Sequence, residues 1–265
     1  MNLPILFRDA RFVVLDKPAG LPVHAGPRGG ASVEDAFPTL GRRRAGPWLA
    51  HRLDADTAGC LVVALRRAAL LEAQAAFAAG RAEKTYWAVV AGGPAAAAGT
   101  LAAPLRKITT RAGWRMAADP DGAPAVTEWR VRGRGDGVAW LELHPRTGRT
   151  HQVRAHCALL GCPVLGDPVY GAGQGRLHLL ARAIRLPLDP PVAARAPVPP
   201  HMRAALAACG WTEEAVSRAG TTAGTPTSPA PSGGGGRAWP APPAGAAARP
   251  PAPPAAVPRP PARLG

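Results

Sequence analysis

The sequence predicts an α+β fold, a mixed and mostly antiparallel sheet with flanking helices. Three observations lead there. Short runs of β-branched and apolar residues recur along the chain, as strands require. Only three segments place apolar residues at helical spacing. Strands and helices do not alternate as regular βαβ units would.

Residues 11–16 (RFVVLD) form the first clear strand expectation, ended by the Lys17-Pro18-Ala19-Gly20 turn. Leu21-Pro22-Val23-His24 resumes an extended path, and the Gly- and Arg-rich residues 26–46 read as a mobile connection. Residues 59–65 have a β-branched centre and read as a strand; residues 66–79 carry Ala, Leu and Phe77 at helical spacing and end at Gly80, a helix with a C-terminal glycine. Residues 84–90 alternate as a strand, and weaker strands are expected over 125–132 and 138–144. Residues 150–160 read as a helix stopped by Gly161 and Pro163, residues 166–171 as a loop, 176–186 as a last strand, and 199–209 as a terminal helix.

Composition divides the chain. Residues 221–265 hold 13 Pro and 7 Gly but no acidic residue, with Trp239, Val257 and Leu264 as the large apolar side chains. Such a segment buries too little surface to offset its ordering entropy. The expected organisation is therefore a folded domain over 1–219 and a disordered Pro/Gly/Ala/Arg-rich tail over 220–265. No run of about 18 apolar residues predicts a membrane span. The first nine residues have no basic-then-apolar pattern of a signal peptide. Four cysteines without a CxxC pair suit free thiols in a reducing cytoplasm.

Charge gives the first functional indication. The net charge is +15, of which the tail's four Arg supply +4. The domain keeps 28 basic against 17 acidic residues, an excess that points to a polyanionic partner, nucleic acid before membrane. Of the 32 basic residues 29 are Arg; codon bias explains Arg over Lys but not basic over acidic.

Two constellations carry chemistry. His51-Arg52-Leu53-Asp54 sets a carboxylate within three residues of a His and an Arg, ahead of Thr57 and Gly59. An Asp there serves as nucleophile or general base if a nearby cation keeps it ionised; a surface ion-paired turn is the other reading. Residues 144–156 pack three Arg and three His around a Gly turn that opens a helix, a ready anion site through helix amides and guanidinium groups. His151, Arg154 and Ala155 lie near one helix face. A metal is not expected, because His151, His156, Cys157 and Cys162 follow H-x4-H-C-x4-C, wider than structural zinc spacings.

In order, these segments resemble the RluA-type pseudouridine synthases. Asp16-Lys17-Pro18-Ala19-Gly20 and Val23-His24 follow D-K-P-x-G-x-x-V-H; residues 51–59 follow H-R-L-D-x-x-T-S-G except at Ala58; residues 84–90 follow K-x-Y-x-A-x-V. Residues 147–156 follow T-G-R-x-H-Q-[LI]-R-x-H apart from Val153, and residues 161–171 follow G-x-P-I-x-G-D-x-x-Y-G apart from Val164. Further departures are Leu180, where the family shows L-H-A, and Leu188-Asp189-Pro190, where it shows H-P.

The resemblance implies the pseudouridine synthase fold with an RNA-binding cleft, and isomerisation of uridines in ribosomal or transfer RNA. The C1′–N1 bond breaks, the uracil rotates, and C5 rejoins C1′, with no cofactor or metal. It also implies that Asp54 is the catalytic carboxylate, attacking C1′ or the ring or removing a sugar proton. Arg154 would pair with Asp54, and Tyr86 would stack on the flipped uracil near C5. The target uridine must be extruded from a structured stem-loop, with His51 and Arg52 as candidates to fill the gap. Arg146, Arg149, the Arg42-Arg43-Arg44 run, His151 and Gln152 are the further expected RNA contacts. The expected protein works as a cytoplasmic monomer without an obligatory protein partner, a membrane or a preceding RNA-binding domain. A non-catalytic RNA-binding factor on the same scaffold, and an Asp-dependent glycoside hydrolase with Asp56 as second carboxylate, are the other classes compatible with the residues.

Overall fold

The computed structural model describes residues 1–213 except 27–28, 42–45, 112 and 172. The Arg42-Arg43-Arg44 run and the tail over 220–265 lie outside the described residues. In chain order the strands are β1 (Ile5–Arg8), β2 (Phe12–Lys17), β3 (Trp48–Leu49), β4 (Ala58–Ala64), β5 (Glu83–Ala91) and β6 (Ala98–Ala102). They continue as β7 (Leu105–Thr110), β8 (Gly113–Ala118), β9 (Val126–Gly135), β10 (Val138–Pro145), β11 (Leu179–Leu186) and β12 (Val192–Arg195). The helices are α1 (Phe37–Leu40), α2 (Arg67–Ala78), α3 (Gln152–Leu159) and α4 (Pro200–Ala208). Among the described residues, no helix is long and apolar enough to cross a membrane.

Ten strands form one sheet in the order β1-β2-β4-β11-β5-β10-β9-β6, with β3 added to β4 and β12 to β11. Every pairing is antiparallel except β4 with β11. β4 is buried along its whole length, which explains why its sequence is continuously apolar rather than alternating. Its side chains still alternate between two layers. Ala58, Cys60, Val62 and Ala64 join Ala69 and Ala73 of α2 and Met202 and Leu206 of α4. Leu61 and Val63 join Val33, Ala36 and Leu40 on the opposite face, where α3 covers β5, β10 and β11 through Val153 and Cys157. Tyr86 packs against both clusters of that second face, at the seam between them.

Several expectations change. Residues 33–40 are not a mobile connection: a 3-10 turn at Val33–Ala36 leads into α1, and Val33, Ala36 and Leu40 are buried. Ser32 and Asp35 close a reciprocal capping box at its start, a signal that the flanking glycines obscured. The helix expected from residue 150 begins at Gln152, because His151 adopts a left-handed conformation with φ of 51°. The two departures Ala58 and Leu180 are register partners across the parallel β4–β11 pair in one apolar cluster. Both departures therefore fall on one apolar contact of the sheet.

β7 and β8 stand apart as a two-stranded ribbon. Its root, Leu105 and Met116, packs with Ala155, Leu159 and Tyr170, so the ribbon is anchored on α3. Its partner strand contacts are local, and its Lys, Arg and Thr content gave the sequence no clean period.

Candidate active site

The cleft opens on the seam where Tyr86 sits, in a cavity of about 400 Å³ lined by the 51–54 turn, the end of α2, β5 and the 145–154 segment, a size ordinary for a small-ligand site. Among the described residues that line it, Asp54 is the one carboxylate, against Arg52, Lys84, Arg149 and Arg154.

The turn that carries Asp54 is built from three directions. The Thr57 N–H donates to the Asp54 carbonyl at 3.1 Å. Gly59, at φ of 110°, runs so close to β11 that a Cβ would overlap the Ala181 carbonyl, so only glycine serves there. Beneath, Lys17 is fully buried. Its ammonium donates to the carbonyls of Pro18 at 2.9 Å, Leu21 at 2.7 Å and Ala55 at 2.7 Å. Burial pulls the Lys17 ammonium down to about 8, with the Asp56 and Asp54 carboxylates opposing that fall. The Asp16-to-Gly20 segment is thereby tied to the residue following Asp54, a contact that no local spacing reveals.

Asp54, Tyr86 and Arg154 converge in the cavity. Arg154 is 3% exposed, and its principal partner differs from the expected one. It donates through Nε and Nη2 to both oxygens of Asp167, at 2.7 and 2.8 Å, and reaches Asp54 Oδ2 only with Nη1 at 3.5 Å. Asp167 is fully buried and also accepts the N–H groups of Val169 and Tyr170 at 2.9 and 3.1 Å. Burial raises the Asp167 pKa, but the Arg154 and backbone hydrogen bonds outweigh it and hold the carboxyl below its usual value. The order Arg154–Asp167 first, Asp54 second, makes Asp167 the anchor of the site. The Asp after Gly166, followed by a turn, was its sequence signal.

Tyr86 is held between Leu143 of β10 and Ala181 of β11. Burial first, and then the Asp54 charge, push its phenol above the usual range, so its ring is neutral at physiological pH. His151 points Nε2 at Asp54 Oδ2 from 3.8 Å. The Tyr170 hydroxyl accepts the Met116 N–H at 2.9 Å and lies 3.3 Å from His151 Nδ1. Burial lowers the His151 pKa, against the raising effect of Asp54.

The other expected RNA contacts divide. Arg52 is exposed at the cleft, and Arg149 lines it while its Nε donates to the Pro124 carbonyl at 3.0 Å. The His51 ring is committed inward: Nε2 accepts the Val62 N–H at 3.0 Å, and the ring lies 5.0 Å from Phe77. Burial brings its pKa down to about 4, so it carries no charge for a phosphate. Gln152 is 3% exposed. Its oxygen accepts from Thr147 Oγ1 and the Arg149 N–H, and its nitrogen donates to the Val126 carbonyl and Thr127 Oγ1. All of its usual bonding capacity braces the loop. Arg146 is not among the cleft-lining residues and holds Glu128 through two bonds of 2.9 and 2.7 Å. Lys84, which sequence reasoning had not singled out, lines the cleft and donates to the Thr147 carbonyl at 2.8 Å. Burial lowers it to about 8, with Arg146 adding to the fall. Among the described residues, no three His, Cys, Asp or Glu side chains converge as a metal site requires.

Residues 11–159 match the family model described as RNA pseudouridylate synthase. An uncharacterized RNA pseudouridine synthase of Zymomonas mobilis is 39% identical over 205 residues, covering 74% of this chain and 93% of that protein. Ribosomal large subunit pseudouridine synthase C of Vibrio cholerae is 34% identical, covering 63% of this chain and 52% of its own length. Among solved structures, human RNA pseudouridylate synthase domain containing 4 superposes with a TM-score of 0.67 at 27% identity, over 78% of this chain and 92% of that one.

Proposed function

The chain belongs to the RNA pseudouridylate synthase family, and from that premise we propose that Asp54 is the carboxylate that acts on an extruded uridine in this cleft. The observation that carries the assignment is the position of Asp54: among the described residues the lone acid of a cationic cavity, 3.5 Å from the Arg154 guanidinium and facing the space bounded by Tyr86. The protein is an RNA pseudouridine synthase, an isomerase of uridines within RNA. No atom is gained or lost in the overall reaction: the N1–C1′ bond breaks, a C5–C1′ bond forms, C5 loses a proton and N1 takes one up.

In this reading Tyr86 stacks on the uracil. Its raised pKa favours a packing role over that of a phenolate base. Arg154 aims Asp54, and Asp167 aims Arg154. Arg52, exposed beside the cleft, fills the place that the uridine vacates. Lys84 and Arg149 hold the flanking phosphates, contacts that position the strand without reading its sequence. His51, Gln152 and Arg146 act as structural supports of the cleft wall. The substrate is a structured stem-loop of ribosomal or transfer RNA, the ribosomal choice supported by the name of the Vibrio relative. Residues 1–219 are the catalytic unit. The protein works as a cytoplasmic monomer without an obligatory protein partner; four buried free cysteines support a reducing compartment.

The test is direct. Purified protein is incubated with RNA transcribed without modification, and pseudouridine is quantified after digestion. Wild type forms it at defined positions; Asp54→Asn binds the same RNA and forms none. Pseudouridine formation by Asp54→Asn at the wild-type rate would refute the assignment.

A further inference from the structure

The ribbon of β7 and β8 presents a feature that the assigned roles leave unused. Cross-strand register pairs Thr109 with Trp114 and Lys107 with Met116, so alternation sets Leu105, Lys107, Trp114 and Met116 on one face. Leu105 and Met116 root that face on α3. Trp114, farther along it, lies against His151, which lines the cleft. Trp114 is 41% exposed, and its indole stacks on His151 with ring centres 4.7 Å apart and planes 26° off parallel. The Lys107 ammonium lies 4.7 Å from the indole centre, and Lys107 is itself exposed. Arg106 and Arg115 project from the other face of the ribbon.

We propose that Trp114 is a stacking platform for an unpaired nucleobase adjacent to the uridine in the cleft. This rests on the Asp54 reading for the identity of the neighbouring uridine, and adds a residue that holds the strand beside it. Three observations support it. A large, partly exposed aromatic surface costs free energy in water unless a partner covers it. The indole is linked through a single stacked ring, His151, to the Asp54 carboxylate, which lies 3.8 Å from His151 Nε2, so the platform adjoins the cavity wall through that ring. Cations interleaved with an aromatic face are what a single-stranded segment needs, stacking for the base and charge for the phosphate. Lys107 rests over the indole in the free protein and moves to the phosphate when a base takes its place. Stacking of this kind tolerates any base, so Trp114 strengthens engagement of an unpaired loop over a duplex without dictating the flanking sequence.

The experiment compares wild type, Trp114→Phe, Trp114→Ala and Asp54→Asn in binding a dye-labelled twelve-nucleotide oligouridylate and an abasic twelve-mer of equal charge. Binding is read by anisotropy, and the Trp114 emission is read as the difference between wild type and Trp114→Phe. The expected results are quenching of that emission by oligouridylate alone, and a loss of roughly 5- to 100-fold in oligouridylate affinity in Trp114→Ala. Trp114→Phe stays within about threefold, and abasic binding is equal in all variants because it is electrostatic. Equal oligouridylate affinity in wild type and Trp114→Ala overturns the proposal. So does a parallel loss of both oligomers in Trp114→Ala, which marks Trp114 as a support for the ribbon. Asp54→Asn separates the two readings: it retains the quenching whether or not it forms pseudouridine.

Discussion

The Arg154–Asp167 pair makes a quantitative claim that replacement of one oxygen can test. In Asp167→Asn, the retained Oδ1 still accepts the Val169 and Tyr170 N–H groups and Arg154 Nη2. The new NH2 group replaces Oδ2, which accepted Arg154 Nε at 2.7 Å; two donors then face each other. The guanidinium, 3% exposed, keeps only the 3.5 Å contact to Asp54 as a charged partner. Removing one member of a buried pair costs about 3–5 kcal/mol. At a urea slope of about 2 kcal/mol per M, this lowers the unfolding midpoint by about 2 M. Asp54→Asn is the matched control, since Asp54 is 18% exposed and its contact is long; its cost is at most about 1 kcal/mol. The same carboxyl sets an acid limit. Its folded pKa lies below the ordinary value of 3.8, so its stabilisation is present above that value and is lost as pH falls through the folded pKa. The assay is urea unfolding by tryptophan fluorescence, at neutral pH and at pH 3. Near-equal midpoints for Asp167→Asn and Asp54→Asn would refute the view that Asp167, rather than Asp54, holds Arg154.

Other outcomes follow from the same geometry. Lys17→Met leaves three carbonyls without their buried donor, at about 1–3 kcal/mol each; unfolding midpoints fall, and surviving protein turns over slowly at near-normal RNA affinity because the Asp54 turn is loosened. Tyr86→Leu loses more activity than Tyr86→Phe in single-turnover assays, since the flat ring is what both native and Phe side chains keep. Wild-type rates between pH 6 and 9 show no limb from the raised Tyr86 phenol. Ala58→Ser or Leu180→His alone costs about 1–3 kcal/mol by burying a polar group among apolar neighbours. The double variant recovers about 0.5–1.5 kcal/mol of it by a cross-strand hydrogen bond, measured as a coupling in a thermodynamic cycle.

The sequence made visible what local chemistry encodes. Asp54 stands out because a carboxylate beside His51 and Arg52 is dense, and Arg154 because the Thr147-to-His156 run is cationic around a turn. The antiparallel sheet followed from β-branched runs, and α2 from helical spacing closed at Gly80. What escaped depends on distant partners. Lys17 reads as a turn residue, yet its ammonium ends buried under a loop 38 positions away. His51 and Gln152 look like exposed polar contacts, but their hydrogen bonds run to Val62, Val126 and Thr127 inside the fold. The β7–β8 ribbon has one buried residue at its root, so its pattern reflects a single anchored end rather than a packed face. The ordering of Arg154 toward Asp167 before Asp54 is a matter of angles and distances that spacing does not contain.

The central claim is that Asp54 converts uridine to pseudouridine in cellular RNA. A transcriptome-wide pseudouridine map in cells lacking the gene, complemented with wild type or Asp54→Ala, tests it most directly. Defined sites in ribosomal or transfer RNA are expected to disappear on deletion, return with wild type and stay absent with Asp54→Ala. Restoration of those sites by Asp54→Ala would contradict it.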